Sequence, residues 1–331
     1  MSTLYIMEQG ALLKKSGERL LIVLGKEIIA EKHFRDITRV LLFGNIQMTT
    51  QVVHKFLQLG IHVAYFTMNG SYRGQLSSVS SASVYTKMAQ ISHWSNKQFL
   101  LALARQLVMA KIQGQRYVLQ KRRRGISAKN ERLQEARNQL EKAIQQASAA
   151  PSTAVLRGIE GNAARVYFSI WDELLPKEFP FEKRSRRPAH NGMNSALNFS
   201  YTLLLNEVNS MLELYGFDVM LGFYHSIRYG RISLSLDVME LFRPLFIDQW
   251  LLSLARQKQI QAKDFYWDEQ SGMYFTSEGR KKFLTLYEQW HKEYELRTKL
   301  ERVLTGLERT MLKGDVDAFR DATEEVLSHL L

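Results

Sequence analysis

The side chains best suited to chemistry lie between Gly222 and Pro244, a stretch that reads GFYHSIRYGRISLSLDVMELFRP. His225 comes just before a turn rich in glycine and arginine, and a short amphipathic helix is predicted after that turn. Asp237 and Glu240 are three residues apart on this helix, so their carboxylates point to the same side of it. An imidazole and two carboxylates held together favour a divalent cation such as Mg²⁺ or Mn²⁺, whereas His225 alone would be interpreted as a core histidine.

A further acidic residue stands among small residues in the segment LRGIEGNAARVYF, which runs from Leu156 to Phe168. Gly158 and Gly161 flank Glu160 and leave room for a ligand or a second backbone to approach it. This surrounding suits a metal ligand carried on a helix. The alternative is a glutamate near a helix start that serves the helix dipole or caps the helix.

Basic residues are followed by regularly spaced asparagines in the segment FEKRSRRPAHNGMNSALNFSYTLL. The asparagines are three or four residues apart at the start of an apolar helix, so we expect them to line one face and to orient a phosphate or the metal ligands. The alternative is helix capping and ordinary polar surface. The basic residues are Lys183, Arg184, Arg186 and Arg187, and the asparagines are Asn191, Asn194 and Asn198.

The positive charge of the chain is concentrated in one segment. Residues 87–137 hold twelve Lys or Arg and two Glu, a net +10 out of the whole chain's +12. Such a concentration is typical of a surface that binds a phosphate backbone, although a solvated basic helix is the plainer interpretation. The most basic part of the segment comprises Lys121, Arg122, Arg123 and Arg124.

The pattern along the 331 residues predicts an α+β protein with two domains. Residues 1–79 alternate short apolar runs with turn signals such as Asn69-Gly70, which indicates a β-sandwich-like domain with one helix near 49–59. Residues 80–86 form a short serine-containing linker, and residues 87–331 form a larger all-α domain. The predicted helices of that domain cover Lys87–Lys121, Ala154–Leu175, Met193–Leu214, Ser235–Phe242, Pro244–Arg256, Ser277–Leu312 and Asp315–Leu330.

Two absences in the sequence bear on where the protein works. It contains no cysteine, which excludes disulfides and thiolate metal sites and fits a reducing compartment. The first ten residues, MSTLYIMEQG, lack the pattern of a signal peptide, and no uncharged apolar run reaches the roughly 18 residues of a membrane span. We therefore expect a cytoplasmic protein.

Taken together, LRGIEGNAARVYF, RRPAHNGMNSALNFSYTLL and the stretch from Gly222 to Pro244 resemble the CRISPR-associated integrase/endonuclease, the first-numbered Cas protein of the adaptation machinery. The resemblance covers essentially the whole chain and keeps the three motifs in order. It implies that Glu160, His225 and Glu240 hold the metal and that Asp237 is also required. Relatives often have Asp at the position of Glu240, which keeps the charge and lengthens the ligand.

The resemblance also implies an activity and its partners. A bound Mg²⁺ or Mn²⁺ would support insertion of captured DNA fragments into a CRISPR array by 3′-OH strand transfer, or nicking when water attacks. The expected partners are double-stranded DNA, a second copy of the chain bound through the β-rich domain, and a small ferredoxin-like protein, the second-numbered Cas protein. Arg184, Arg186, Arg187, Arg228 and Arg231 are candidate phosphate contacts near the metal.

Two other functions stay open from the residues alone. In a non-catalytic nucleic-acid-binding scaffold, Glu160, Asp237 and Glu240 would be ordinary helix-surface charges. In a metal-dependent DNA repair nuclease, the same site would only hydrolyse DNA.

Overall fold

The structure is a computed structural model that describes residues 2–76, 78, 84–122 and 130–328. The chain divides into two compact units, Met1–Ser81 and Ala82–Leu331. The first is built on β-strands and the second is largely helical, which confirms the predicted α+β class. The first helix of the second unit begins at Val84, so it includes the last three positions of the predicted 80–86 linker.

Two four-stranded sheets form the described part of the first unit. Their strands are β1 (Ser2–Ile6), β2 (Leu12–Ser16), β3 (Arg19–Leu24), β4 (Glu27–His33), β5 (Ile37–Phe43), β6 (Gln47–Met48), β7 (His62–Phe66) and β8 (Tyr72–Leu76). One sheet has the order β1-β5-β7-β8, with β1, β5 and β7 parallel and β8 antiparallel. The other has the order β4-β3-β2-β6, in which only β2 and β6 are parallel.

The core of the first unit follows from alternation along the strands. In β3, Leu20 and Ile22 are buried because residues two apart share a face. Helix α1 (Thr50–Gln58) contributes Val52 and Phe56, which are four residues apart and so lie on one side of the helix. These side chains pack in one apolar cluster, which gives the unit a core of its own.

His62, at the start of β7, makes the stability of this unit depend on pH. Burial lowers its pKa to about 4, against a hydrogen bond with Gln75 at 3.0 Å that raises it. The unfolded chain binds a proton near pH 6.5, whereas the folded chain resists it until about pH 4. The stability that depends on neutral His62 is therefore complete above pH 6.5 and is lost as the pH falls towards 4.

Replacing this histidine should flatten the acid dependence of the first unit. In the natural chain we expect the free energy of local opening of β7 and β8 to fall by about 2 kcal/mol between pH 7.5 and 5. In His62→Gln this decrease should be absent. Hydrogen exchange followed by mass spectrometry, corrected for intrinsic exchange rates, measures this free energy. Tryptophan fluorescence would not report on the first unit, because all five tryptophans lie beyond residue 81. Exposed His54→Gln is the matched control, and equal pH dependence in all three proteins would contradict the expectation.

The second unit is a helical assembly with one small hairpin among its described residues. Its helices are α2 (Val84–Trp94), α3 (Lys97–Arg122), α4 (Glu131–Ser148), α5 (Thr153–Phe168), α6 (Trp171–Leu174), α7 (Gly192–Leu214), α8 (Ser233–Phe242), α9 (Gln249–Arg256), α10 (Ser277–Glu293), α11 (Leu296–Lys313) and α12 (Asp317–Ser328). None of the described helices is long and apolar enough to cross a membrane.

The helical unit differs from the sequence expectation in several places. The helices expected at Lys87–Lys121 and Ala154–Leu175 are each two helices, α2 with α3 and α5 with α6, and α4 lies where no helix was predicted. The predicted all-α domain contains a β-hairpin, β9 (Phe265–Asp268) with β10 (Gly272–Phe275), which the short aromatic runs did not reveal. The single helix expected at Ser277–Leu312 is two helices, because Glu295 adopts a left-handed conformation between them. At Pro244 the helix neither ends nor breaks but passes through a π-helical segment, Arg243–Asp248. A π-helical turn at this place re-aims side chains in a way often found at functional sites.

Helix α7 is the central element of the unit, since most of its residues are buried on every side. It begins where Asn191 accepts a hydrogen bond from the backbone N–H of Asn194 at 2.8 Å, which is an N-cap. It contacts α8, the π-helical segment and β10. Helix α3 contacts α5, α8 and the same π-helical segment. These contacts bring together Lys111 of α3, Glu160 of α5 and Glu240 of α8, which are far apart in the sequence.

Candidate active site

Asp237 on α8 organises the chain around His225. Its carboxylate is fully buried and accepts hydrogen bonds from the backbone N–H groups of Phe223, Tyr224 and His225 at 2.8, 3.0 and 2.9 Å. Gly222 makes this approach possible, because a Cβ there would lie 2.8 Å from the Asp237 carboxylate. The loop before the helix is thereby fixed to one carboxylate.

The same carboxylate sets the tautomer of His225. Nδ1 of His225 lies 2.6 Å from Oδ1 of Asp237, so Nδ1 carries the proton and donates a hydrogen bond to the carboxylate. Nε2 is then the unprotonated nitrogen, and no described residue hydrogen-bonds to it. A carboxylate behind a histidine is a common support for a metal-binding imidazole. With four donors on its two oxygens, Asp237 positions His225 and has little capacity left to bind a cation itself.

Glu160 on α5 and Glu240 on α8 meet at one ammonium group. Nζ of Lys111 on α3 forms an ion pair with Oε1 of Glu160 and another, at 2.7 Å, with Oε2 of Glu240. Oxygens bound to one nitrogen lie within about 6 Å of each other, since each contact is about 3 Å long. His225 is hydrogen-bonded to Asp237, which precedes Glu240 by about one turn on α8. The three side chains that the sequence singled out as metal ligands therefore belong to one neighbourhood.

Glu240 stays ionised although it is buried. Burial raises its pKa, but the positive charges of Arg243 and Lys111 outweigh burial and hold the pKa well below its usual range. Nη1 of Arg243 donates to Oε1 of Glu240 at 2.6 Å, so each carboxylate oxygen faces a different cation.

Tyr224 lies against the same charges. Burial raises the pKa of its phenol, and the carboxylates of Glu160 and Glu240 raise it further, so the phenol is neutral. Its hydroxyl is buried without a hydrogen-bond partner among the described residues. A buried polar group of this kind next to two carboxylates is a place where a bound group would find a donor.

A cavity of about 350 Å³ opens beside Glu160 and Lys111. Gly161, which follows Glu160, and Ala164, one helical turn further along α5, both line the cavity. A Cβ at Gly158 or Gly161 would meet open space. The glycines near Glu160 therefore leave room on the α5 surface, and no backbone of the described residues packs against them. Further lining residues are Gln115, Arg165, Phe168, Ser169, Glu182, Lys183, Arg184, Arg186, Tyr201, Arg243, Pro244 and Asp248.

One wall of the cavity is a buried acid–aromatic–base cluster. Tyr201 donates a short hydrogen bond to Asp248, and the Arg243 guanidinium lies 3.9 Å from the centre of the Tyr201 ring. Burial raises the pKa of Asp248 to about 6, with the Tyr201 hydrogen bond and Arg243 acting against it. The π-helical segment supplies both Arg243, which lies over this ring, and Asp248, which accepts from its hydroxyl.

The asparagines of the basic segment hold its loop in place. Asn194 accepts from Arg184 at 3.0 Å and donates to the carbonyl of Lys183 at 2.9 Å. Asn198 accepts from Arg184 and donates to the carbonyl of Arg186, both at 2.7 Å. Burial lowers the pKa of Arg184 to about 10, which leaves it charged at neutral pH. Arg184 therefore joins the loop to α7, and its guanidinium also lines the cavity.

The other predicted phosphate contacts are mostly on the surface. Arg186 and Arg187 are exposed in the basic loop, Arg228 is exposed in the turn after His225, and Arg231 is half-buried there. Lys121 is exposed near the end of α3, with its ammonium 5.7 Å from the Tyr117 ring centre. Arg122 ends the helix backbone, and Arg123 and Arg124 lie outside the described residues.

The donors are chemically suited to a hard divalent cation, although they form no ready-made metal cluster among the described residues. Within residues 2–76, 78, 84–122 and 130–328, no three His, Asp or Glu side chains converge closely enough to hold an ion as they stand. Lys111 instead supplies the positive charge that Glu160 and Glu240 share. Two carboxylates that converge on one cation, beside an imidazole with an open nitrogen, are the oxygen and nitrogen donors that Mg²⁺ and Mn²⁺ accept.

The family model described as CRISPR associated protein Cas1 matches residues 4–289. The chain belongs to the Cas1 family. A CRISPR-associated endonuclease Cas1 of Chlorobaculum tepidum is 32% identical to it over an alignment of 334 positions, which covers 96% of this chain and 97% of the relative. A Cas1 protein from Thermotoga maritima has a solved structure that is similar with a TM-score of 0.81 and 27% identity, covering 94% of this chain and 97% of that one.

Two more distant structures share the Cas1 fold. One is a casposase bound to its integration product, with a TM-score of 0.79 and 20% identity over 99% of both chains. The other is a Cas6-RT-Cas1–Cas2 complex, with a TM-score of 0.79 and 23% identity, in which the likeness covers 96% of this chain and 36% of that chain.

The main residues that the sequence did not single out are Lys111 and Arg243. Lys111 continues the apolar face of α3 four residues after Leu107, and a lysine on such a face is a usable signal for a buried ion pair. Arg243 follows Glu240 by three residues, the spacing of a helical ion pair. Neither spacing reveals that Glu160, on a different helix, is the second carboxylate that Lys111 contacts.

Asp237→Asn should remove the support of the imidazole. An amide has one acceptor oxygen and a donating NH₂ group, so it leaves backbone N–H groups of the loop unpaired and stops enforcing Nδ1–H. We expect the free energy of unfolding to fall by about 2 kcal/mol or more, and ¹⁵N NMR to show His225 as a mixture of tautomers. Asp321→Asn, which changes an exposed carboxylate, should match the natural chain. An unchanged His225 tautomer in Asp237→Asn would show that another group orients the ring.

Proposed function

We propose that the protein is a metal-dependent DNA endonuclease and integrase that inserts captured DNA fragments into a CRISPR array by 3′-OH strand transfer. Its membership of the Cas1 family and the name of its relative, CRISPR-associated endonuclease, support the proposal. The observation that carries it is the meeting of Glu160 and Glu240 at one positive charge, beside a histidine whose tautomer Asp237 sets.

Glu160, His225 and Glu240 would hold Mg²⁺ or Mn²⁺, and Asp237 would position His225. The cation, when bound, supplies Lewis-acid polarisation of the reacting phosphate and stabilises negative charge on its oxygens. Arg243 keeps Glu240 ionised, so the site presents negative charge to a cation at neutral pH. The Nδ1–H···Asp237 hydrogen bond keeps the lone pair of Nε2 available.

The basic residues around the site would position DNA. Arg186 and Arg187 in the loop and Arg228 in the turn are exposed, which suits phosphate contacts that do not read sequence. Arg184 and Arg231 are less exposed and would act closer to the reacting group. We assign backbone contacts farther along the duplex to Lys121, Arg122, Arg123 and Arg124, as the charge pattern predicts.

Three partners complete the proposal. Double-stranded DNA is the substrate, as fragment and as CRISPR repeat. A second copy of the chain would bind through the β-rich unit, because insertion at two ends needs two sites. A small ferredoxin-like Cas2 protein would join them, which the Cas1–Cas2 assembly of a structure with the same fold supports. We expect this to take place in the cytoplasm.

Replacement of single candidate ligands should abolish the chemistry and spare DNA binding. We expect Glu160→Gln and His225→Ala each to lower strand transfer of a short duplex into a repeat-bearing supercoiled plasmid by at least about a hundredfold, because the cation loses a donor. DNA affinity measured in EDTA should stay within about threefold of the natural chain, since the basic surface is unchanged. Exposed Glu178→Gln is the matched control, and EDTA is the control for the metal.

The same gel separates the rival functions. A scaffold would give no metal-dependent product with the natural chain, and a repair nuclease would give nicked plasmid without joined fragment, with or without Cas2. Strand transfer that survives in both Glu160→Gln and His225→Ala would refute the proposed site.

A further inference from the structure

Lys111 is an unusual residue for the middle of a helical core. It lies on α3, is 6% exposed, and its ammonium contacts the two carboxylates Glu160 and Glu240. A buried lysine needs such partners, because an unpaired ammonium away from water is strongly unfavourable. The Lys111 ammonium is therefore a positive charge that the chain itself supplies to the carboxylates of Glu160 and Glu240.

The pairing engages the oxygens that a bound metal would need. Oε1 of Glu240 accepts from Arg243, so Oε2 is the oxygen that Lys111 occupies. On Glu160, Lys111 contacts Oε1. A divalent cation cannot bind these oxygens while the ammonium stays in contact with them, because like charges a few ångströms apart repel strongly in a site of low dielectric constant.

Lys111 also has a place to move to. Its side chain lines the cavity beside Glu160, together with Gln115, whose Oε1 is buried without a hydrogen-bond partner among the described residues. A four-carbon stem lets the ammonium leave one partner for another a few ångströms away, as the rigid Arg243 fork cannot. The cavity also holds Arg165 and Arg186 in its lining, which suits a phosphate of bound DNA.

We propose that Lys111 is an internal counter-cation that a divalent metal must displace from Glu160 and Glu240, and that the displaced ammonium then binds a DNA phosphate at the cavity. The inference rests on the proposed function, and it adds a coupling between metal and DNA. DNA that receives the ammonium makes the carboxylates available, so DNA strengthens metal binding, and the metal strengthens DNA binding by the same factor.

Mn²⁺ binding without DNA tests the first half of the inference. Lys111→Met keeps most of the length of the side chain and removes its charge. Free Mn²⁺ counted by electron paramagnetic resonance should show roughly tenfold or more tighter binding in Lys111→Met than in the natural chain. Lys97→Met, at the exposed start of the same helix, is the matched control and should bind Mn²⁺ like the natural chain. Equal or weaker binding in Lys111→Met would overturn the proposal.

The coupling supplies the second readout. Adding a short duplex should tighten Mn²⁺ binding more in the natural chain than in Lys111→Met, where only the direct contact between the phosphate and the metal is left to couple the two ligands. An equal gain in both proteins would overturn the proposed transfer of Lys111 to phosphate. Thermal unfolding checks that the variant folds, and its melting temperature should rise more steeply with Mn²⁺ than that of the natural chain. If Lys111→Met does not fold, Lys111→Gln takes its place with the same expectations.

Glu160→Gln separates failure of this inference from failure of the proposed function. If Mn²⁺ binds the natural chain and Glu160→Gln weakens it, while Lys111→Met does not tighten it, only the role of Lys111 is wrong. If Mn²⁺ binding is absent or indifferent to Glu160, the metal site itself is wrong and both proposals fall.

Discussion

The ionised state of buried Glu240 is the constraint from which the rest of the site follows. A carboxylate away from water is unfavourable unless cations face it, and this one has Lys111 on one oxygen and Arg243 on the other. Lys111 comes from α3 and Arg243 from the π-helical segment, so two elements must pack against α8 for the charge to be tolerated. Glu160 adds a second carboxylate to the same ammonium, and its helix α5 is thereby held to the group.

The positions of these helices depend on close contacts that leave little freedom. Gly114 lets α3 approach Pro244 of the π-helical segment, where a Cβ would lie 3.2 Å from the proline ring. Gly222 does the same for the loop at Asp237. Because the loop, α8 and the π-helical segment are fixed to each other in this way, His225 and Glu240 are set by the fold before any ligand arrives.

The sequence predicted the local features well and the long-range ones poorly. The spacing of Asp237 and Glu240 placed two carboxylates on one buried helix, and His225 stood close enough in the chain to be joined to them. The sequence did not show that the Asp237 carboxylate accepts hydrogen bonds from three backbone N–H groups and from the imidazole, because these contacts depend on how the loop folds back. Lys111 is 49 residues from Glu160, so no periodicity links them. Glu160 joined the site mainly through the family resemblance, since its own segment left open whether it is a metal ligand or a glutamate that serves the helix dipole or caps the helix.

The fold shows the same division between local and tertiary effects. Alternating apolar residues predicted the strands of the first unit, and helical spacing predicted α7 and α8. The β9–β10 hairpin was missed because its strands are four residues long and rich in aromatic side chains that also suit a helical core. The break at Glu295 was missed because a glutamate in a left-handed conformation has no sequence signal comparable to that of glycine.

The most direct test of the central claim is the position of a bound cation. Crystals soaked with MnCl₂ and measured at the manganese absorption edge should show one strong anomalous peak within coordination distance of Glu160, His225 Nε2 and Glu240, with Lys111 moved away from the carboxylates. A peak elsewhere in the molecule, with Glu160, Lys111 and Glu240 still in contact, would contradict the account.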